Sequence, residues 1–554
     1  MTRANCLTQK YCTFNSQYTK LKRPLFFALL SGILFVISWP VNGFPIFIFG
    51  AFVPLFLIEK KFSDTLPSRC FLKLLGYNYL AFAIWNLGTT WWLVNASVFG
   101  MVFANFWNSL FFTLLMLAFH WAKQRMPLRS AYLFFVVLWL AFEKFHLSWD
   151  FSWPWLNLGH VFSETIQWVQ WYEYTGTFGG SLWVLIVNIF LFEKLKNWSL
   201  QPRPIQRIRS LIPVLIGVAS PIIFSLYLLE REHKSLGELK VALVQPNIDP
   251  YNEKYKFSNE DFLWQLENLL TNKKVSSIDY ILTPETYFAA GYGERLQRFG
   301  YSPFYKKLLQ FQSQYPNSQL ITGIQFYDAY NSDTPPTPSA NYVRDQLWVD
   351  YYNSALAVSS DTLPQVYHKS KLVVGVENMP YKNFFEPLLG TFLLDLGGTV
   401  SSRATQLERS VFKHPTRQTI AAPIICYESI YGAFITEYVQ KKADFLAILT
   451  NDAWWGDTPG HKQLLSLARL RAIENRRAIA RAANTGISAL ISAKGEIISS
   501  LPYNKRGVLM VSVPIHKKQT FYNQYGDYLA RWAGFLAVLY FFLALSGRLK
   551  EKTL

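Results

Sequence analysis

The amino-acid sequence predicts a multi-span α-helical membrane part of about eight spans joined to an α/β layered domain. Three observations carry this. Residues 24–58 and 74–122 contain no Asp, Glu, Lys or Arg. Between residues 239 and 515 the texture changes to short β-rich runs divided by helical and polar stretches. A last apolar run, 532–547, follows that region.

Composition agrees with a chain of two natures. Its 554 residues exceed one ordinary domain. The hydrophobic share of 51% and aromatic share of 17%, with 19 Trp and 45 Phe, fit a chain partly in lipid. Mean hydropathy is nevertheless only +0.11, because polar and charged residues gather in the second half. The formal net charge of +18 raises nucleic acid as a partner, but the basic residues sit beside apolar runs. Lys10, Lys20, Lys22 and Arg23 precede the first, and Arg203, Arg207 and Arg209 precede a later one, as topology signals and headgroup contacts do. No nucleic-acid signature accompanies them. Of four cysteines, Cys6, Cys12 and Cys70 lie in or beside the membrane half and Cys426 is alone in the other, which argues against a disulfide framework. The N-terminal run is too long for a signal peptide and lacks a small-residue cleavage site.

A span needs about 20 apolar residues, so 24–58 makes two, broken at Trp39-Pro40-Val41-Asn42-Gly43. Residues 74–122 make two more, turning at 95–100, and 130–149, 174–192 and 211–229 follow. With 532–547 this gives seven spans before the polar half and one after it. Lys60, Lys61 and Arg69, then Lys123, Arg125 and Arg129, then the basic residues of 194–209, fall after every second span. By the positive-inside tendency the N-terminus is inside and residues 240–515 face outward. Glu143 and Lys144 read as an interfacial pair at the outer surface, and WPWLNLG, Trp153 to Gly159, as an aromatic interfacial segment. The expected domains are therefore a cytoplasmic segment 1–23, a membrane domain 24–230, an outward-facing domain 238–516, a transmembrane helix 528–548 and a cytoplasmic tail 549–554.

In the polar half, strands are expected at 240–245, 280–283, 320–325, 354–358, 420–426, 445–450, 486–492 and 507–514. A helix is expected over 461–483, which lacks Pro and is rich in Leu, Ala and Arg. Three strand ends carry reactive groups. The run ILTPET ends in Glu285 and Thr286, VYHKSKLVV holds Lys369 and Lys371, and IICYES holds Cys426, Tyr427 and Glu428. Strand ends of an α/β sheet converge on one crevice. A cysteine nucleophile needs a base, which Glu285 supplies; a lysine and the Tyr427 N–H would stabilise an oxyanion. Each residue alone also has a plain structural reading: a packed thiol, a helix-start carboxylate, a solvated lysine. His461 reads as a polar residue at a helix N-terminus.

The ordered motifs PET, YHKSKLV followed by Glu377, ICYES and NDAWWGD resemble the nitrilase superfamily, and fused to outward-facing spans they resemble bacterial apolipoprotein N-acyltransferases across nearly the whole chain. The resemblance implies an αββα sandwich of nitrilase type. It places the base at Glu285, the lysine at Lys369, three residues before the Leu, and the nucleophile at Cys426. Supporting roles fall to Glu377, Tyr427 and Glu428, and the acyl pocket to Asn451 and Trp454. Tyr255 is a candidate for a lid over that pocket. Where the family commonly reads VPFGE this chain has VVGVE, and at Gly460 it has GHKQL for an aromatic-Gln-His version. The implied reaction takes an acyl chain from a membrane phospholipid through a thioester to the α-amine of a diacylated prolipoprotein. It needs no cofactor or metal and takes place on the periplasmic side of a bacterial inner membrane, in a monomer. The alternative is a membrane-tethered amidase hydrolysing a small amide; a catalytically dead scaffold is a third reading.

Overall fold

The computed structural model describes residues 23–63, 70–196, 204–232, 234–249, 253–254, 256–271, 278–360, 362–378, 381 and 402–547. Tyr255, the 1–22 segment and the 549–554 tail lie outside the described residues.

Each expected apolar run falls on helix, but the runs are not equivalent. Four described helices are long and apolar enough to cross a membrane: Val98–Lys123, Thr177–Leu195, Pro204–Glu230 and Tyr528–Ser546. The Arg23–Ser38 helix is apolar and shorter. Residues Pro45–Gly50 form a 3-10 turn leading into Val53–Ser63, and Cys70–Thr90 and Leu128–His146 complete the set. These last helices are diluted by polar groups turned into the bundle, such as Asn78, Asn86 and Glu143. Aromatic residues hold the bundle together: Phe35 stacks on Trp85 at 4.5 Å and Phe112 on Trp139 at 5.0 Å. The outward faces of Pro204–Glu230 and Tyr528–Ser546 leave Ile216, Ile223, Trp532 and Phe535 uncovered, which suits lipid and not water. The chain is a membrane protein.

Glu143 and Lys144 do not form the surface pair expected of them. Glu143 is buried and accepts from Trp139 Nε1, the Leu158 N–H and Ser181 Oγ at 3.1, 2.8 and 2.6 Å. Lys144, the next residue round the helix, points the other way and pairs with Asp527 at 2.8 Å. Neighbours in sequence lie about 100° apart on a helix, so one faces the bundle and the other its edge. The Trp153–Trp155 segment is no span, as expected, yet Trp155 is buried between the bundle and the second half, not at a lipid surface.

The second half holds two mixed sheets. In one, Glu238–Gln245 lies between antiparallel Gly507–Pro514 and parallel Tyr280–Leu282, followed by Gln319–Asn331 and Leu347–Val358. In the other, Ile420–Ile425, Phe445–Thr450 and Ile479–Ala483 run parallel at the centre. Period-two alternation divides the first sheet's side chains. Val241, Leu243, Tyr280 and Leu282 share a core with the second sheet, whereas Ala242, Val244 and Ile281 pack on the helices Asn259–Thr271 and Pro303–Ser313. The expected 461–483 helix is shorter. It spans Pro459–Asn475, ends with Arg476 in the left-handed region (φ 45°), and gives way to the strand Ile479–Ala483. Alanine-rich composition favours helix locally, but pairing with Phe445–Thr450 between two packed layers overrides it.

The halves are bolted together. Gln463 donates to the carbonyls of Pro40 and Thr89 at 2.9 and 3.2 Å and accepts from the indoles of Trp92 and Trp155 at 3.2 and 2.7 Å. Arg476 binds Glu173 and Gln170, each at 2.6 Å.

Candidate active site

Three strand ends deliver the reactive groups to one place. Cys426 follows Ile420–Ile425 directly and opens a 3-10 turn, Cys426–Ile430. Its φ of 49° is left-handed, a conformation that costs a non-glycine residue about 1–3 kcal/mol and turns the thiol out of the strand line. Glu428 holds that turn. One carboxylate oxygen accepts the Ile425 N–H at 2.8 Å, and the other accepts Tyr367 OH and the Ser370 N–H at 2.6 and 2.7 Å. Ser370 adjoins Lys369, so Glu428 fixes the nucleophile's strand end to the lysine's.

Lys369 is 1% exposed and lies between two carboxylates, with Nζ 2.8 Å from Glu285 Oε1 and 2.8 Å from Glu377 Oε2. Asn353 Nδ2 bridges the same two residues, 2.8 Å from each. The remaining Glu285 oxygen has a single long contact, the Asn451 N–H at 3.2 Å. It is the lightly held oxygen, open to take a proton. Burial works to lower the Lys369 ammonium, but Glu285, Glu377 and Cys426 outweigh it and raise it, so it stays charged. Burial also works to raise Glu377, and Lys369 and Arg403 hold it below the usual carboxylate range. Burial pushes the Cys426 thiol well up; Glu285 adds to this and Lys369 opposes it. The resting site thus holds a thiol and not a thiolate, and deprotonation needs a base at the moment of attack.

The altered VVGVE segment still delivers Glu377. Gly375 (φ 78°) sits where a side chain would be strained, and the Val373 N–H donates to Glu377 Oε2 at 3.0 Å. Lys371 is turned away. Its Nζ lies 5.0 Å over the Tyr431 ring and 3.4 Å from the Leu147 carbonyl. Tyr427 donates to the Ser152 carbonyl at 3.0 Å, tying the site to the loop above the bundle. Asn451 caps the turn Asp452–Trp455 and Trp454 lines the cavity described next. His461 is buried, its ring stacked on Tyr503 at 4.4 Å, within the first turn of its helix.

Cys426, Glu285 and Lys369 open on a cavity of about 370 Å³. Its two walls differ. One carries Glu285, Lys369, Glu377, Asn353, Lys254 and Arg403 from the second half. The other is apolar and comes from the Val98–Lys123 helix and the loop after Leu128–His146: Phe99, Phe103, Trp107, Phe111, Trp149 and Phe151. Sequence reasoning missed Asn353, Lys254 and Arg403. Asn353 had a faint signal, a polar residue in the strand Leu347–Val358 just before its apolar end Ala355–Val358, whereas the other two lie in irregular chain without pattern.

A buried Cys–Glu–Lys set facing a cavity lined in part by apolar side chains of a membrane helix suits chemistry on acyl carbonyls. Residues 240–521 match the carbon-nitrogen hydrolase family, about half of the chain, and residues 31–190 match the apolipoprotein N-acyltransferase N-terminal domain. The chain belongs to the carbon-nitrogen hydrolase family, in its apolipoprotein N-acyltransferase branch. It is 29% identical over 529 residues to the apolipoprotein N-acyltransferase of Chlorobaculum tepidum, covering 92% of this chain and 94% of that one. The enzyme of Geobacter metallireducens is 25% identical over 92% of this chain and 93% of its own. Apolipoprotein N-acyltransferase 1 of Treponema denticola is 27% identical over 91% and 93%.

Proposed function

We propose that this chain is an apolipoprotein N-acyltransferase that moves an acyl chain from a membrane phospholipid, through a Cys426 thioester, to the α-amine of a lipoprotein's diacylglyceryl-cysteine. The observation that carries this is the two-walled cavity: the thiol and its charged partners face an apolar wall contributed by a membrane helix. A small-amide hydrolase has no use for that wall.

In the first step Cys426 Sγ attacks the donor's ester carbonyl while the free Glu285 oxygen takes its proton. Lys369 and the Tyr427 N–H stabilise the oxyanion, and the lysophospholipid leaves with the proton returned by Glu285. In the second step the acceptor amine attacks the thioester, Glu285 takes a proton from nitrogen and passes it to the departing Cys426 sulfur, and the C–S bond breaks to leave an amide and the free thiol. Glu377 and Asn353 keep Lys369 and Glu285 in register. Tyr427 and Glu428 hold the nucleophile turn, and Asn451 and Trp454 shape the pocket, with Tyr255 close to Lys254 in sequence as a lid residue.

The domain limits given above, eight spans and an αββα layering complete the reading. A location in the bacterial inner membrane with the catalytic domain on the periplasmic side is supported by the basic residues after every second apolar run. One chain holds the whole triad and cavity, which fits a monomer.

The test is intact-protein and peptide mass spectrometry of the enzyme mixed with phospholipid vesicles. An acyl adduct on Cys426 that is discharged by a diacylated lipopeptide, with the amide formed on that peptide, is the expected result. Hydrolysis of small amides without any acyl adduct from lipid would overturn the reading.

A further inference from the structure

Two cations on the polar wall are not used by the chemistry just described. Lys254 is 8% exposed, and its Nζ donates to Thr286 Oγ1 at 2.5 Å, the residue next to the base. The Arg403 backbone N–H donates to the Glu377 carbonyl at 3.1 Å, and its guanidinium reaches Gln325 Oε1 at 3.4 Å. Both line the cavity that holds Cys426. The acidic residues lining it, Glu285 and Glu377, each form their close ion pair with Lys369 at 2.8 Å, and Arg403 acts on Glu377 only through the longer-range field. Among the described residues neither Lys254 nor Arg403 forms an ion pair. Three cations therefore face two carboxylates, and the surplus positive charge comes from the second half's part of the lining.

Burial pushes the Lys254 ammonium down to about 8; Glu285 works to raise it and Arg403 to lower it further. Lys254, buried, and Arg403, half-buried, line one cavity, and their mutual repulsion is relieved when an anion arrives between them. Arginine and lysine together, one planar and one a point charge, suit the oxygens of a phosphate.

We propose that Lys254 and Arg403 form a phosphate subsite for the acyl donor, seating its phosphodiester on the polar wall while its ester carbonyl lies at Cys426 and its chain runs along the Val98–Lys123 helix. This rests on the acyltransferase reading. It adds how one cavity tells its two lipids apart: the donor carries a phosphate, whereas the diacylglyceryl-cysteine acceptor carries none and brings an amine. The subsite holds the first lipid and has no grip on the second, so donor and acceptor are taken in turn.

The experiment compares two donors with the same acyl chains, phosphatidylglycerol and diacylglycerol, each in neutral phosphatidylcholine-free detergent micelles with the full-length protein. The rate of acyl-Cys426 formation is read by mass spectrometry. The native enzyme is expected to prefer phosphatidylglycerol, and Arg403→Gln or Lys254→Gln to lower the ratio of the two rates about tenfold, as loss of one charge-assisted contact does. Arg403→Lys should keep most of the ratio. A ratio unchanged in both glutamine variants overturns the subsite, as does an equal fall with both donors, which marks a merely structural role. Competition by millimolar inorganic phosphate that chloride of equal ionic strength does not reproduce, and that Arg403→Gln abolishes, would assign the site to free phosphate and overturn the lipid source. Failure of the native enzyme to take an acyl group from either donor sinks the acyltransferase reading itself.

Discussion

The catalytic centre and the junction beneath it are both buried and both polar, yet they are wired in opposite ways. At the junction the two anchoring side chains, Gln463 and Arg476, have their hydrogen-bonding capacity filled. Gln463 makes two donor and two acceptor bonds to three separate stretches of the membrane half, and the Arg476 guanidinium is held by Glu173 and Gln170. At the centre capacity is left open. Glu285 keeps one oxygen with a single 3.2 Å contact, and Asn353 Oδ1 has no partner among the described residues. Saturated groups resist movement, whereas under-used ones are available to a substrate. Rigidity and reactivity are thus drawn from the same kinds of side chain, separated by how completely each is satisfied.

Substitutions can break this contrast at either end. Cys426→Ala should remove acyl-enzyme altogether, and Lys369→Met or Glu285→Gln should each cost about 10²–10⁴ in transfer rate without unfolding the protein, read as turnover beside thermal stability. A Lys369→Met enzyme with near-native turnover would remove the charge from the mechanism. Glu428→Gln acts through position. It should lower the rate by about tenfold to a hundredfold, because one carboxylate holds both strand ends, and the loss should appear in the rate of thioester formation more than in the apparent affinity for donor. Gln463→Leu attacks the junction. Two indole N–H groups and two carbonyls lose a partner at about 1 kcal/mol or more each, so a loss of about 2–4 kcal/mol of stability is expected, visible as a lower melting temperature in detergent. Unchanged melting would show that the halves are held by apolar contact alone.

Two milder tests sharpen the picture. Alkylation of Cys426 in the resting enzyme should show no step near pH 8.5, where an ordinary thiol titrates, because burial keeps the proton on sulfur across that range; a step there would place a free thiolate at the site. Lys371→Met should change turnover by less than about fivefold, since a partly exposed cation over a ring contributes only about 0.5–1 kcal/mol. A loss matching that of Lys369→Met would exchange the roles of the two lysines.

Much of the architecture was legible because it depends on local pattern. Uncharged runs marked the helices of the membrane half, and short apolar runs marked strands such as Phe445–Thr450, which is buried throughout, and Gly507–Pro514. Where pattern was ambiguous the reading slipped. Residues 479–483 are alanine-rich and helical by propensity, and only their place beside Phe445–Thr450 makes them a strand. Glu143 and Lys144 are adjacent in sequence, and only the packing of Leu128–His146 sends one inward and the other to Asp527.

The sequence alone pointed to the residue types at the site: Glu285 and Cys426 each follow a readable apolar strand, whereas Lys369 follows the short, polar Gln365–His368 strand and is marked by its motif. Motif order also separated Lys369 from Lys371. Only the tertiary structure decided what surrounds them. Asn353, Glu428's two-strand clamp, the Lys254 and Arg403 pair and the apolar wall of Val98–Lys123 come from positions dozens to hundreds of residues apart. Strand and helix periodicities are set by neighbours along the chain. A cavity is set by which distant surfaces the burial of apolar area brings face to face.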